Sequence, residues 1–493
     1  MGRPGDPVAR GKIDELVFAR LSKAGVAPSA LASDEVFLRR SFLDAIGTLP
    51  TAQEATAFLA STDPRRRTVL IDQLLQRDEF PVYWAMKWSD LLRIKAEFPI
   101  DLWPTAAQEY YRWLREALYK NKPYDQFVRE LLTSSGSNFR VGPVNFYRAL
   151  QNREPQSLAQ AVALTFMGVR IEKWPAPRRS EMAAFFSLVG YKPTGEWKEE
   201  IVFFDRSKAL ATQDVVFPDG KKSHLQAGRD PRLDFADWLI APRNPYFARN
   251  IVNRIWAWLY GRGIVDEPDD MRPDNPPRCP ELLAYLEGEL VSSGYDLKHI
   301  YRLILNSSTY QLSPIPRSAT IKSSEEFDRY PVRRLDAEVL VDALSQITGT
   351  SEQYSSAVPE PYTIMPSGER AIALPDGSIS SPFLELFGRS PRNTGVESER
   401  SNHPTAAQRL HLLNSSQIER KIEQGPALQE IFRNPDLRTA LTSLYLTSLS
   451  RYPAEEEIKI ATEYLHNNGL NRRQALIDIT WALLNSTEFL YRH

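Results

Sequence analysis

Ser33-Asp-Glu-Val-Phe-Leu-Arg-Arg-Ser-Phe-Leu-Asp-Ala-Ile-Gly47 is the stretch whose reading decides the fold. Ser33 suits a helix N-cap, because its hydroxyl accepts from an amide two or three residues on. Asp34 and Glu35 set negative charge against the positive end of the helix dipole. Leu38, Phe42 and Ile46 recur every fourth residue, so they share one face, and Gly47 ends the run. The spacing predicts a helix with a buried stripe.

The same grammar extends in both directions. Trp84, Trp88 and Leu92 lie four apart, and tryptophans at that spacing read as core. Pro123-Tyr-Asp125 opens a run through Phe127, Leu131 and Leu132 that Gly136 is expected to end. Phe235, Trp238 and Leu239 continue the period. Pro280 opens a helix carrying Leu283, Leu286 and Leu290, with Gly294 as its exit. Leu437, Leu441 and Leu444, then Leu476, Thr480 and Leu483, close the series. Leu305-Asn-Ser307, Leu413-Asn-Ser415 and Leu484-Asn-Ser486 each follow an apolar stretch, where Asn in the left-handed region is a common helix terminator.

The period breaks between 190 and 230. Ile201-Val-Phe-Phe204 and Val215-Val-Phe217 are β-prone, and Pro218-Asp-Gly220 is a turn signal. The fold class is therefore mainly α, a multi-helical two-domain protein with a small β-hairpin or ribbon near residues 200–222. The expected units are an N-terminal helical domain over 10–190, a β-containing connector over 191–230, and a C-terminal helical domain over 231–493. The last carries a long irregular insertion at about 351–404, rich in Pro, Gly and Ser, of the kind that is functional or mobile.

At 493 residues, two or three domains are the prior, and 42% hydrophobic with 25% charged residues is ordinary for a chain with a real core. Lys+Arg 61 against Asp+Glu 62 leaves a formal charge of -1. That balance gives no general pull toward phosphate backbones or anionic membranes, so no nucleic-acid partner is expected. Arg65-Arg-Arg67 precedes an apolar periodic run and reads as a solvated helix face. The apolar runs fall far short of the about 20 residues that span a bilayer. The opening residues have no apolar core, so the chain as it stands shows no signal peptide.

Cys279 is the single cysteine, which excludes an intramolecular disulfide and a thiolate metal cluster. No C-x-x-C-H occurs, so no covalent haem is expected, and no other cofactor is signalled. G-x-S-x-G, H-E-x-x-H, Walker A and G-x-G-x-x-G are likewise missing. The six histidines show no metal-ligand spacing.

A set of ordered strings carries a family resemblance. In the N-terminal half they are Ile13-Asp-Glu-Leu16, Leu38-Arg-Arg40, Gly47-Thr-Leu-Pro-Thr51 and Pro123-Tyr-Asp-Gln-Phe127. In the C-terminal half they include Asn244-Pro-Tyr-Phe-Ala-Arg249, Val252-Asn-Arg254, Gly261-Arg-Gly263, Tyr295-Asp-Leu-Lys298, Ser308-Thr-Tyr-Gln311 and Leu484-Asn-Ser-Thr-Glu-Phe489. Together they resemble the paired planctomycete-type domains of unknown function that often accompany cytochrome c-like modules. The resemblance implies an exported bacterial protein, periplasmic or extracellular, at the cell envelope. Relatives commonly carry a C-x-x-C-H segment after a string similar to Phe166-Met-Gly-Val-Arg-Ile-Glu172. Here Glu172 runs straight into Lys173-Trp-Pro175.

Three polar clusters are candidate sites. The first is Asp266, Glu267, Asp269, Asp270, Arg272, Asp274 and Asn275, flanked by prolines. Packed carboxylates repel one another unless a cation, an arginine or protons intervene, and salt bridges to Arg254 and Arg272 are the expected arrangement. The second is Arg389, Arg392, Glu397, Glu399, Arg400, Asn402 and His403, on the long insertion, where charged residues suit a cleft for a sugar or carboxylate. The third is Arg333, Arg334, Asp336 and Glu338, which reads as a charged helix start.

Two functions from different classes survive. One is a non-catalytic binding or assembly protein engaging a glycan or another envelope protein. The other is a hydrolase or lyase acting on a polysaccharide, with Asp269 and Asp270, or Glu397 and Glu399, as acid and base. The oligomeric state is left open.

Overall fold

The run from Ser33 forms the helix Asp34–Ala45, and the Ser33 hydroxyl accepts the Val36 amide at 3.5 Å. Leu38, Phe42 and Ile46 are buried, and Gly47 leaves the helix at φ +61°, where a Cβ would strike the Tyr83 ring. This computed structural model describes residues 7–208, 213–317, 326–467 and 471–493. It is 54% helical with 22 helices and 6% strand among the described residues, so the chain is mainly α.

The core forms where the tryptophan-bearing helix Glu79–Leu91 meets two helices from the second half, Phe247–Tyr260 and Leu297–Asn306. Trp84 packs on Tyr301 at 4.4 Å between ring centres and on Trp258 at 5.5 Å. Trp88 meets Trp258 at 5.9 Å, and Tyr124 stacks on Phe247 at 4.7 Å. Aromatic pairs at these separations add to the transfer of their large apolar surfaces from water. Arg39 binds the end of the chain to its beginning, donating to the carbonyls of Ser448 and Phe489, each at 2.8 Å.

The small β-structure lies where the periodicity broke. Gln213–Val216 and Lys222–Leu225 form an antiparallel hairpin across Pro218-Asp219-Gly220. Glu200–Phe204 is the centre of a three-stranded sheet between Gly136–Ser137 and Val189–Pro193. Gly190 and Pro193 hide the last strand from sequence reading. It lies at an edge, where a missing N–H is tolerated.

Three local readings need correction. The helix Tyr124–Thr133 ends before Gly136, which enters a strand instead. Arg333 and Arg334 are not a helix start: they pair antiparallel with Tyr491 and Arg492, and the helix begins at Ala337 with Asp336 as its cap residue. The Leu-Asn-Ser echo does not end helices through left-handed Asn. The serines leave in extended backbone, φ -66° at Ser307 and -70° at Ser486, and each hydroxyl accepts the amide three residues on at 3.1 Å. At these two serines side-chain capping of the next turn replaces the left-handed exit, while Ser415, also extended at φ -74°, makes no such cap. Residues 351–404 are irregular and packed, with Ile372, Leu374, Phe383, Phe387 and Arg392 buried.

Candidate functional site

The acidic loop is held from two sides. Helix Phe247–Tyr260 presents Asn250, Asn253 and Arg254, all fully buried. Asn253 imitates a backbone partner, exchanging bonds of 2.9 and 3.0 Å with the main chain of Val265. Arg254 forms an ion pair with Asp269 at 2.6 Å and donates to the carbonyl of Leu164 at 3.0 Å. Arg272 pairs with Asp270 at 3.0 Å, and Lys173 approaches the same carboxylate at 3.8 Å. Asn275 donates to the carbonyls of Asp266 and Asp270. On the other side, Met271 donates its amide to Gly168. Gly168 sits at φ +65° with no room for a Cβ, which would meet Asn250 and the carbonyl of Pro268.

A second layer of charge anchors the 351–404 segment. Arg400 donates twice to Glu338, at 2.6 and 2.9 Å, and twice to Asp90, at 2.7 and 3.0 Å. Arg392 reaches the other oxygen of Asp90 at 3.1 Å, and Arg389 lies 3.5 Å from Glu338. Burial alone would raise the Glu338 carboxyl, but Arg400 and Arg389 outweigh it and hold it at about 2. Asp336 behaves alike. Its burial is overcome by Lys87 at 3.0 Å, Arg492 at 2.9 Å and the Asn402 amide at 2.8 Å, which hold it well below the carboxylate range.

Above these layers opens a cleft of about 650 Å³. Asp269, Arg334, Glu397, Arg400, Asn402 and His403 line it, so the structure brings residues of all three clusters to one place. Asp270, Arg272, Asn275, Arg254, Arg392 and Glu399 are not in its wall. Arg254 and Arg392 are fully buried on Asp269 and Asp90, and Glu399 turns to the amides of Thr394 and Gly395. Arg334 donates through Nε and Nη2 to the carbonyls of Phe387, Ser401 and Asn402, and its Nη1 has no hydrogen-bond partner among the described residues.

Glu397 is the distinctive wall residue. Its amide donates to Asp269 at 2.6 Å, and its carboxylate accepts from the Trp258 indole at 3.2 Å. Burial pushes this carboxyl up, Lys87 opposes, and Asp269 adds to the rise. Lys87 is pushed the other way by burial, with Asp336 opposing. Sequence reading missed Lys87, Trp258 and Tyr491. The available signal was Lys87 itself, a lone cation in the apolar run Trp84-Ala-Met-Lys-Trp88.

Among the described residues, no group of three or more His, Cys, Asp or Glu side chains is placed to hold a metal ion. No described helix is long and apolar enough to cross a membrane. Comparison with protein families finds two matches, a protein of unknown function (DUF1549) over residues 12–172 and a protein of unknown function (DUF1553) over 231–465. No curated protein and no solved structure matches the chain. The chain carries the paired planctomycete-type, cytochrome-associated domains of unknown function that its ordered motifs resemble, without the C-x-x-C-H segment.

Proposed function

We propose that the protein is an exported, non-catalytic binding or assembly protein of the bacterial cell envelope, whose cleft takes a glycan segment. One observation carries the reading: the cleft's deep carboxylates are already occupied by the fold. Arg254 holds Asp269, and Lys87 with Arg492 holds Asp336, so neither is left as a nucleophile. The rim offers His403, Ser398 and Tyr491, an imidazole and two hydroxyls suited to sugar hydroxyls. Titration of the intact chain with neutral and acidic envelope oligosaccharides, followed by tryptophan fluorescence, tests this. Saturable binding weakened by His403→Ala and by Tyr491→Phe is the expected result. Absence of any saturable binding across such a panel counts against it.

A second reading rests on Glu397 and Lys87. A carboxyl that burial pushes up and an amine that burial pushes down, lining one cleft, would serve as acid and base for a polysaccharide hydrolase or lyase. Release of new sugar ends, abolished by Glu397→Gln while binding persists, would select this reading over the first.

A further inference from the structure

A second pocket, of about 350 Å³, lies beyond the cleft and shares one wall residue with it, Arg170. It holds a charge that the fold leaves unanswered. Arg93 lines this pocket and is 1% exposed. Its Nε donates to the carbonyl of Ala149 at 2.8 Å and its Nη1 to that of Leu91 at 3.1 Å. Among the described residues its Nη2 has no hydrogen-bond partner, and no carboxylate among them forms an ion pair with it. Phe146 lies 5.5 Å from the guanidinium carbon. Burial lowers the group only to about 10, with Tyr110 and then Glu399 opposing, so it stays charged at neutral pH. Arg170, half-buried, likewise has an Nε without a partner.

Arg392 and Arg400 differ, being neutralised by Asp90 and Glu338. Arg334 of the larger cleft resembles Arg93, donating to carbonyls with its Nη1 left over among the described residues. A buried cation without a counter-charge is costly, and such a group in a pocket wall is suited to an anion. The rest of the wall mixes hydroxyls and amides, among them Ser157, Gln160, Asn393 and Thr394, with apolar side chains such as Leu150 and Leu164. Its one carboxylate, Glu172, stands exposed and accepts from Gln160 at 3.2 Å.

We infer that this pocket is a subsite for one anionic group, a carboxylate or a sulfate ester, carried on a hydroxyl-rich sugar. The half-buried guanidinium of Arg170 meets the anion, Arg93 adds its charge from within the wall, where its Nη2 is sealed from solvent, and the amides and hydroxyls take the ring hydroxyls. The inference stands on these residues and not on the reading of the larger cleft.

Calorimetric titration of the intact chain with glucuronate, glucose 6-sulfate, glucose and sodium sulfate tests it. Glucuronate or glucose 6-sulfate should bind at least about tenfold more tightly than glucose, as loss of a charge-assisted pair implies. Which of the two binds identifies the anion. Arg170→Gln should weaken that binding about tenfold. Ser157→Leu should obstruct it without touching either arginine. Arg65→Gln, which removes the same charge from an exposed site, should leave it unchanged. Equal binding of glucose, sodium sulfate binding as tightly as the sugar acids, or no binding at millimolar concentration each overturns the inference. So does indifference to both Arg170→Gln and Ser157→Leu. The cleft reading is judged separately by His403 and Tyr491.

Discussion

Arg400 and Glu338 form a bidentate pair, Nη1 to Oε2 at 2.6 Å and Nη2 to Oε1 at 2.9 Å, in which both side chains are 5% exposed or less. The same guanidinium holds Asp90, so one arginine of the irregular segment bridges two helices of the core. Removing it would leave two buried carboxylates short of their main counter-charge. Arg400→Met is expected to cost about 3–5 kcal/mol, as for other broken buried pairs. Urea unfolding measures it, and a loss below about 1 kcal/mol would show that the network is dispensable.

Asp342 predicts a pH dependence of unusual sign. It is buried in the same helix as Glu338, and burial raises it to about 6 although Arg370 and the amides of Ala371 and Ile372 oppose. A carboxyl raised in the folded state binds its proton more tightly there than in the unfolded chain. Its contribution is fully present below about pH 4 and is lost as pH rises through about 6. Asp342→Asn does not titrate and keeps an acceptor for one of the two amides, a loss that does not vary with pH. From pH 4 to 7 the unfolding free energy should therefore shift in the variant's favour by up to about 3 kcal/mol. A constant difference between the two proteins across that range would contradict the raised carboxyl.

These two networks also mark how far the sequence could be read. The helix from Asp34 was legible because cap, dipole charges, stripe and exit all agree within 15 adjacent residues. The same local logic found the turn at Pro218-Asp219-Gly220. Arg333 and Arg334 were misread because their partners, Tyr491 and Arg492, lie at the far end of the chain. Asp90 and Lys87 were passed over for a related reason: a helix period reports which face is buried, not which distant arginine or carboxylate makes that burial tolerable. The residue types of the candidate site were legible. Their convergence depends on Gly168, Asn253 and Arg254, each of which acts through contacts remote in sequence.

The acidic loop yields a sharp test between a cation site and an internal salt bridge. Arg254 and Asp269 are both almost fully buried, at 1% and 3% side-chain exposure. Asp269→Asn would leave the arginine uncompensated, at an expected cost of about 3–5 kcal/mol. Added Ca²⁺ should leave the melting temperature of the native protein unchanged, because Arg254 already occupies the position a cation would take. A rise of several degrees with calcium, lost in an Asp269→Asn, Asp270→Asn double variant, would overturn this, since only a ligand of the folded state stabilises by mass action.

The expected units over 10–190, 191–230 and 231–493 are proposed as units of sequence rather than of folding. The reason is the aromatic junction. Trp84 and Trp88 of the first half rest on Trp258 of the second, and Tyr124 of the first stacks on Phe247 of the second. Cutting the chain between the halves would expose those rings in both pieces, and exposed aromatic surface of that size favours aggregation over an independent fold. Trp258→Ala should cost about 3–5 kcal/mol, the range for a large ring removed from a packed core. It should also lower a single cooperative melting transition, not the second of two. Fragments 10–230 and 231–493, produced separately, should lack cooperative unfolding and recover it only when mixed. Two separable melting transitions in the intact chain, with Trp258→Ala shifting one alone, would show that each half folds by itself.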